Sequence, residues 1–333
     1  MRNECRIKKG LIIHPGAIGD AVCALPLAIF MKEHLGIHLV DWIGRTDYVQ
    51  YFPTRTAVDA IRSIDAIPLH RLFEDPKTFE LADKDPLLYS FAGYEQVVSF
   101  LGGDYTNFEE NLLYTVHCIQ SAHVITLPVV PNEFPGHISD YYIWCLAKEN
   151  ELDEPDTLTA PPPRIEPTGG DFTVGYDLLD EYEIDPDDPL LLIHPGGGGT
   201  QKCWPLDNFL QLAESLLADG KQVIFLLGPV EQERFTEPQL EKITPFRCLS
   251  QLDLTQLLQI LAICDALIGN DSGITHMAAA MGKPTIAVFG PTNPQKFAPR
   301  GLKSNLVIFP EDEFTDISPA NVERVHQEIL KSL

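Results

Sequence analysis

Two α/β lobes, each built on a parallel sheet, are predicted for this chain of 333 residues. Three observations carry the prediction. Short apolar runs alternate with helical patterns along both halves, which is how helix-covered parallel sheets read in sequence. A proline-rich acidic stretch at 151–171, ELDEPDTLTAPPPRIEPTGGD, separates the halves and has the composition of a linker. One phrase occurs in each half, LIIHPGAIGD at Leu11–Asp20 and LLIHPGGGGT at Leu191–Thr200.

In the first half, Gly10–His14 is a short buried strand. Asp20–Leu35 is helical, with Val22, Leu25, Ile29 and Leu35 on its apolar side and Pro26 expected to kink it or to sit near its first turns. Strands are expected at Ile37–Ile43, Ile61–Ile67, Gln96–Phe100 and His123–Thr126, and a helix rich in aromatics at Ile138–Glu149. The second half alternates more cleanly. Leu190–His194 is a strand and Leu206–Ala218 a helix. Lys221–Leu227 is a strand ending in Gly228-Pro229, and Thr255–Ile263 a helix. The strand Ala266–Ile268 precedes the helix Ser272–Met281. Thr285–Phe289 is a strand ending in Gly290-Pro291, and Pro319–Leu330 is an amphipathic helix. The expected division is an N-terminal Rossmann-like lobe at 1–160, a C-terminal Rossmann-like lobe at 161–317, and a terminal helical segment at 318–333 free to pack back on the first lobe. Ligands of such sheets bind at the carboxyl ends of the strands, where both His-Pro-Gly turns fall. The lobes are therefore expected to face each other across a cleft.

Composition narrows the class. At 44% hydrophobic and 22% charged residues the chain reads as an ordinary globular protein. With 24 Lys+Arg against 48 Asp+Glu, the formal net charge is −24. No basic footprint for nucleic acid is visible, and broad adsorption to anionic lipid is disfavoured. Seven cysteines without a CxxC read as reduced thiols, not a disulfide frame or zinc site. Arg2, Arg6, Lys8 and Lys9 precede an apolar run, but His14, Pro15 and Asp20 interrupt any signal-peptide core, and Asp20 spoils a lipoprotein reading of Cys23. No run approaches the ~20 residues of a membrane span. A cytoplasmic protein is expected.

Four stretches carry chemistry. In HPGGGGTQKCWP, His194–Pro205, the glycines let backbone N–H groups approach an anion, and Lys202 follows at a distance suited to a phosphate. Gly197, Gly198 and Thr200 are the candidate contacts. The stretch is neither a Walker A loop nor GxGxxG, and the plainer alternative is a flexible turn. In GNDSGITHMAAAMGKP, Gly269–Pro284, Asp271 can cap a helix whose N-terminal Ser272 and Gly273 attract anions, while His276 either donates to a phosphate or is a satisfied buried histidine. In GPVEQE, Gly228–Glu233, Glu231 either accepts from ribose hydroxyls or is an ordinary acid at a helix N-terminus. In the opening phrase, Gly16 and Gly19 flank a tight turn from which Asp20 emerges, as a general base beside an incoming hydroxyl or as a helix cap. The metal-type pairs Asp83-Lys84-Asp85 and Asp185-Pro186-Asp187 sit in polar, proline-flanked loops and read as solvated turns.

Together these stretches resemble glycosyltransferase family 9, the ADP-heptose:lipopolysaccharide heptosyltransferases. The resemblance runs from PGAIGD through LLIHPG and KCWPLDNFLQLAESL to GPVEQE. It is most specific at GNDSGITHMAAAMGKPTIAVFGPTNP, which closes in GPTNP at Gly290–Pro294. It implies the GT-B architecture, inversion at the anomeric carbon and no required metal or other cofactor. Asp20 would be the catalytic base, Lys202 the phosphate-binding lysine, and Asp271, Gly273 and His276 nucleotide-diphosphate contacts, with Glu231 on the nucleotide. The expected partners are a nucleotide-sugar donor, most readily ADP-heptose, and a saccharide or glycolipid acceptor of the cell envelope, with no nucleic acid and at most peripheral contact with the inner membrane. The alternatives are an epimerase on the same scaffold, which needs no external acceptor, and a silent nucleotide-binding homologue, which would not depend on Asp20. A redox enzyme is disfavoured by the missing GxGxxG.

Overall fold

The computed structural model describes residues 7–103, 106–131, 133–185 and 188–333. The chain divides into two compact units, Met1–Pro161 and Pro162–Leu333. Arg2, Arg6 and Cys5 of the sequence reading, and Pro186-Asp187 of the second Asp-x-Asp pair, lie outside the described residues.

The first unit contains β1 (Lys9–His14), α1 (Ile18–His34), β2 (Leu39–Gly44), α2 (Thr46–Val49), β3 (Ala60–Ser63), α3 (Pro86–Phe91), β4 (Tyr94–Ser99), α4 (Thr106–His117), β5 (His123–Thr126) and α5 (Ile138–Glu149). Its five strands are parallel, in the order β3-β2-β1-β4-β5. Leu11, Ile13, Ile43 and Val97 pack with Leu112 and Val116 of α4 in one fully buried cluster. On α1, Ala21 to Ala28 are all buried, Pro26 among them, and the Ser139 hydroxyl at the start of α5 donates to the Cys23 carbonyl at 2.7 Å.

The second unit contains α6 (Gly169–Glu181), β6 (Leu190–His194), α7 (Leu206–Ala218), β7 (Gln222–Leu227), α8 (Pro229–Arg234), α9 (Glu237–Ile243), β8 (Arg247–Ser250), α10 (Leu254–Ile263), β9 (Ala266–Asn270), α11 (Gly273–Ala280), β10 (Thr285–Phe289), α12 (Pro294–Phe297), β11 (Ser304–Ile308), α13 (Glu311–Phe314) and α14 (Pro319–Ser332). Its six parallel strands run β11-β10-β9-β6-β7-β8. Both sheets thus have the doubly wound order, growing outwards in both directions from the first strand of the unit. The α/β class with two parallel-sheet lobes is what the sequence predicts. The order reverses between β1 and β4 in one unit and between β6 and β9 in the other, and ligand sites of such sheets lie at these switch points.

The segment 318–333 groups with the second unit. Val322, Val325 and Ile329 of α14 are buried in the core of the second unit with Phe209, Leu212 and Leu216 of α7. The linker stretch, read to Asp171, gives way earlier to α6. Thr168 caps this helix, and the buried Asp171 accepts from its N–H at 2.7 Å and its hydroxyl at 2.8 Å. Gly175 lets α6 lie against α10, since a Cβ there would stand 2.5 Å from the Gln259 carbonyl oxygen.

Candidate functional site

The His-Pro-Gly phrase has the same local structure in both units. His14 and His194 end the first strand of their sheets, and both are buried. His14 Nδ1 accepts the Gly16 N–H at 3.1 Å, and His194 Nδ1 accepts the Gly196 N–H at 3.4 Å. A ring nitrogen taking the N–H two residues on closes a turn as an Asx side chain does. Burial disfavours the imidazolium. It lowers the His14 pKa to about 3 and moves His194 in the same direction, against the opposing charge of Glu231.

Beyond the turns the two copies diverge. In the first unit the chain enters α1 at once. Asp20 lies in its first turn, half-buried, and its Oδ2 accepts the Ala17 N–H at 3.2 Å. Gly16 makes room for it, since a Cβ there would stand 3.1 Å from Oδ2 and 2.6 Å from His14 Cε1. Gly19 is inside the first turn of α1. Tyr142 of α5 donates its hydroxyl to the Val129 carbonyl. Burial above all, then the charges of Cys23 and Asp20, keeps that phenol protonated.

In the second unit, two loops leave adjacent strands at the switch point, with His194 opposite Gly269. The fully buried Asn270 fastens them together. Its Nδ2 donates to the carbonyls of Pro195 (2.9 Å) and Gly196 (3.1 Å), and its Oδ1 accepts the Trp204 N–H (2.9 Å). After the glycines, a 3₁₀ turn at Thr200–Lys202 carries Lys202 back toward the site. Lys202 Nζ stands 3.2 Å from Asp271 Oδ2, and His276 Nε2 lies 3.6 Å from Asp271 Oδ1. Burial of Asp271 opposes its ionisation, but His276 and Lys202 hold its carboxyl below the ordinary carboxylate value. The helix cap expected of Asp271 is supplied instead by Ser272, whose Oγ accepts the Thr275 N–H at 3.4 Å. The Asp271 carboxylate is thereby left to Lys202 and His276. Gly273 is the first residue of α11.

Glu231 is 5% exposed, and its Oε2 accepts the Gly228 N–H at 2.8 Å. It packs against Gly196, where a Cβ would fall 1.8 Å from Oε1. One helical turn on, Arg234 donates to the carbonyls of Gly197 (2.9 Å) and Gly198 (3.1 Å). In a trans peptide the N–H points away from the carbonyl, so the N–H groups of Gly198 and Gly199 face away from the guanidinium. Gly196, Gly197, Thr200, Cys203, Glu231 and Arg234 border a cavity of about 220 Å³ that Trp204 and Phe235 also line. Sequence reasoning missed Arg234 and Asn270. The three-residue step from Glu231 puts Arg234 on the same helix face, which is a usable signal. Asn270 carries none.

The structure brings Lys202, Asp271, Ser272 and His276 together, and Gly197, Thr200 and Glu231 around the adjoining cavity, while Gly198 meets Arg234 through its carbonyl. Asp85 is not a solvated turn residue. It is buried, caps α3 through the Leu87 N–H at 3.0 Å, and takes both its oxygens to within 2.8 Å of Arg71 Nη1. Burial works against its charge, while Arg71 and the N–H groups of Leu87 and Ala82 keep its pKa low. Among the described residues, no group of three His, Cys, Asp or Glu is placed to hold a metal ion, and no helix is long and apolar enough to cross a membrane.

Comparison with known proteins bears on the same unit. Residues 175–322 match glycosyltransferase family 9 (heptosyltransferase). The resemblance read from the motifs therefore holds over residues 175–322, from within α6 to the start of α14. Lipooligosaccharide heptosyltransferase 2 of Haemophilus influenzae is 30% identical over 151 residues, 43% of each chain. Lipopolysaccharide heptosyltransferase 2 of Escherichia coli K12 is 29% identical over 133 residues, 38% of each. The chain thus spans about two fifths of the length of these curated relatives. Whole-chain likeness appears in structure. The E. coli ADP-heptose LPS heptosyltransferase II superposes with a TM-score of 0.68 at 20% identity, covering 97% of this chain and 99% of its own. E. coli heptosyltransferase WaaC with ADP gives 0.65 at 17%, covering 98% and 100%. The fold of these structures, two parallel-sheet lobes of the GT-B class, is therefore shared along the chain.

Proposed function

We propose that the protein is an inverting, metal-independent heptosyltransferase that moves heptose from ADP-heptose to a saccharide or glycolipid acceptor of lipopolysaccharide core synthesis. The supporting observation is the convergence of Lys202, Asp271 and His276 with the glycine-rich loop at the switch point of the second sheet. A nucleoside diphosphate suits that constellation. The diphosphate lies against the Gly198 and Gly199 N–H groups and the N-terminus of α11 at Ser272–Gly273, with Gly197 and Thr200 beside it and Lys202 and His276 donating to it. Asp271 aims both donors, and Glu231 takes the nucleoside. The protein acts in the cytoplasm, with at most peripheral contact with the inner membrane.

The step is a single displacement. Asp20, in the first turn of α1 with Gly16 and Gly19 beside it on the acceptor side, takes the proton of an acceptor hydroxyl as that oxygen attacks the anomeric carbon. The bond from that carbon to the diphosphate oxygen breaks, and ADP leaves with the electron pair. Lys202 and the α11 N-terminus meet the charge that develops on it, which removes the need for a metal.

One observation favours a second reading, a silent nucleotide-binding homologue: Asp20 already serves as a helix-end acceptor for the Ala17 N–H. Asp20→Asn separates the two. Asparagine still accepts that N–H, so folding and ADP affinity should persist while turnover falls at least ~10²-fold. Wild-type turnover in Asp20→Asn would reduce the aspartate to a cap. In a thermal-shift panel of ADP, UDP, GDP and CDP, ADP should raise the midpoint most. A larger rise with another diphosphate would overturn the donor assignment.

A further inference from the structure

His14 takes no part in the displacement just described, yet it borders the residue that does. Its ring is buried at the carboxyl end of β1, 4.5 Å from Phe100 and 5.5 Å from Trp42 between centroids. Accepting the Gly16 N–H at Nδ1 assigns the proton of the neutral ring to Nε2. Among the described residues, that N–H is buried without a hydrogen-bond partner. A phenylalanine or leucine would fill the space without stranding a donor, so packing does not account for a histidine here. What the imidazole adds is the bond to Gly16.

That bond leads to Asp20. A Gly16 Cβ would stand 2.6 Å from His14 Cε1, 3.0 Å from Asp20 Cβ and 3.1 Å from Asp20 Oδ2, so the ring and the carboxylate flank the same glycine. The next N–H along the chain, that of Ala17, is the one Asp20 Oδ2 accepts. Two hydrogen bonds on consecutive residues connect ring, turn and carboxylate.

We propose that His14 is a positioning residue: by holding the Gly16 N–H it fixes the Pro15–Ala17 turn and, through the Ala17 N–H, the place of the Asp20 carboxylate. The role depends on Asp20 being the general base. The same lock recurs at His194, and again at His137, whose Nδ1 accepts the Ser139 N–H at 3.1 Å at the start of α5. The ring stays neutral, and its Nδ1 lone pair available, through the whole physiological range.

Two substitutions of opposite character test this. His14→Asn puts Oδ1 the same number of bonds from Cα as Nδ1, and asparagine accepts the N–H two residues on in ordinary turns. His14→Phe keeps a ring between Trp42 and Phe100 and loses the acceptor. Turnover is read as ADP released from ADP-heptose in the presence of an inner-core acceptor. His14→Asn should retain kcat near wild type, and His14→Phe should lose about 10- to 100-fold, the cost of a base displaced by ångström distances. ADP affinity by calorimetry should be unchanged in both. Thermal midpoints should rank the other way, His14→Phe above His14→Asn, because asparagine leaves a cavity among the aromatic rings. If kcat follows the midpoints, with His14→Phe the more active, His14 is a packing residue and the proposal falls. Asp20→Asn measured alongside separates the causes. Loss in Asp20→Asn with full activity in His14→Phe overturns the role of His14 alone. Full activity in Asp20→Asn removes the base, and this proposal with it.

Discussion

Gly196→Ala should destabilise the second unit through one contact. A Cβ at Gly196 falls 1.8 Å from Oε1, 2.1 Å from Cδ and 2.5 Å from Cγ of Glu231, against an optimum of about 3.5–4 Å between non-bonded carbons. The backbone around Gly196 is tied to His194 and Asn270, so the glutamate must give way. Its departure breaks the bond to the Gly228 N–H, a helix-end contact worth about 1 kcal/mol. Forcing extra volume into the packed site costs about 1–3 kcal/mol more. Together these lower the unfolding midpoint of a unit this size by roughly 4–16 °C. Calorimetric scans of wild type, Gly196→Ala, Glu231→Ala and the double variant measure the coupling. With Glu231 truncated, the added methyl should be nearly neutral. An equal loss from Gly196→Ala in both backgrounds would refute the reasoning. ADP affinity should behave differently, weakened in Glu231→Ala and not restored in the double variant, because Glu231 is assigned to the nucleotide.

Lys202→Ala should weaken ADP binding by about 1.5–3 kcal/mol, the range for hydrogen bonds to charged groups; unchanged affinity by titration calorimetry would remove Lys202 from the site. Turnover should survive excess EDTA, and loss of activity restored by Mg²⁺ would show that the donor diphosphate needs a metal. For pH, the His14 pKa is depressed from 6.5 to about 3, so the unfolded chain binds the proton that the native ring refuses. Stability is then complete above pH 6.5 and declines as pH falls from 6.5 toward 3. His14→Asn should flatten the stability slope across that window by close to one proton, measured by urea unfolding at several pH values; an unchanged slope would place the titration elsewhere.

Strands were readable where an apolar run carried them, whether inner like β6 and β10 or at an edge like β5. β6, β10 and β5 have the predicted limits, and so does α7, because strong apolar patterns there end at glycine, proline or polar punctuation. β8 and β11 were missed. Both are edge strands, covered on one side only, and RCLS and SNLVI offer no continuous apolar run. α6 was hidden by Gly169-Gly170, which look like linker but form its first turn, where helix propensity matters less than the Thr168–Asp171 cap. Of the residues that the motifs single out, Lys202, Asp271 and His276 meet in the second unit. Other partnerships were not legible. That Asp85 faces Arg71 rather than water, and that Asn270 ties the two loops together, are tertiary facts without a local signal.

The duplicated His-Pro-Gly phrase is one turn with two lengths of loop after it. The histidine accepts from the residue two ahead in each copy, so the shared letters belong to the end of the strand. In the first copy α1 begins at Ile18, and Asp20 puts a negative charge on the helix's positive end. That charge opposes a phosphate there and suits a group that receives a proton. In the second copy, four glycines, the 3₁₀ turn and Pro205 delay α7 until Leu206. The added length brings Lys202 to Asp271, at the carboxyl end of the neighbouring strand. At the corresponding place in the first unit, the residue after β4 is Phe100, whose ring covers His14. An apolar ring there buries the histidine lock, whereas an acid opposite a lysine collects charge. On the proposed function, the two endings follow from what each switch point holds: one proton acceptor fixed by a short turn, or a diphosphate cradled by a long one.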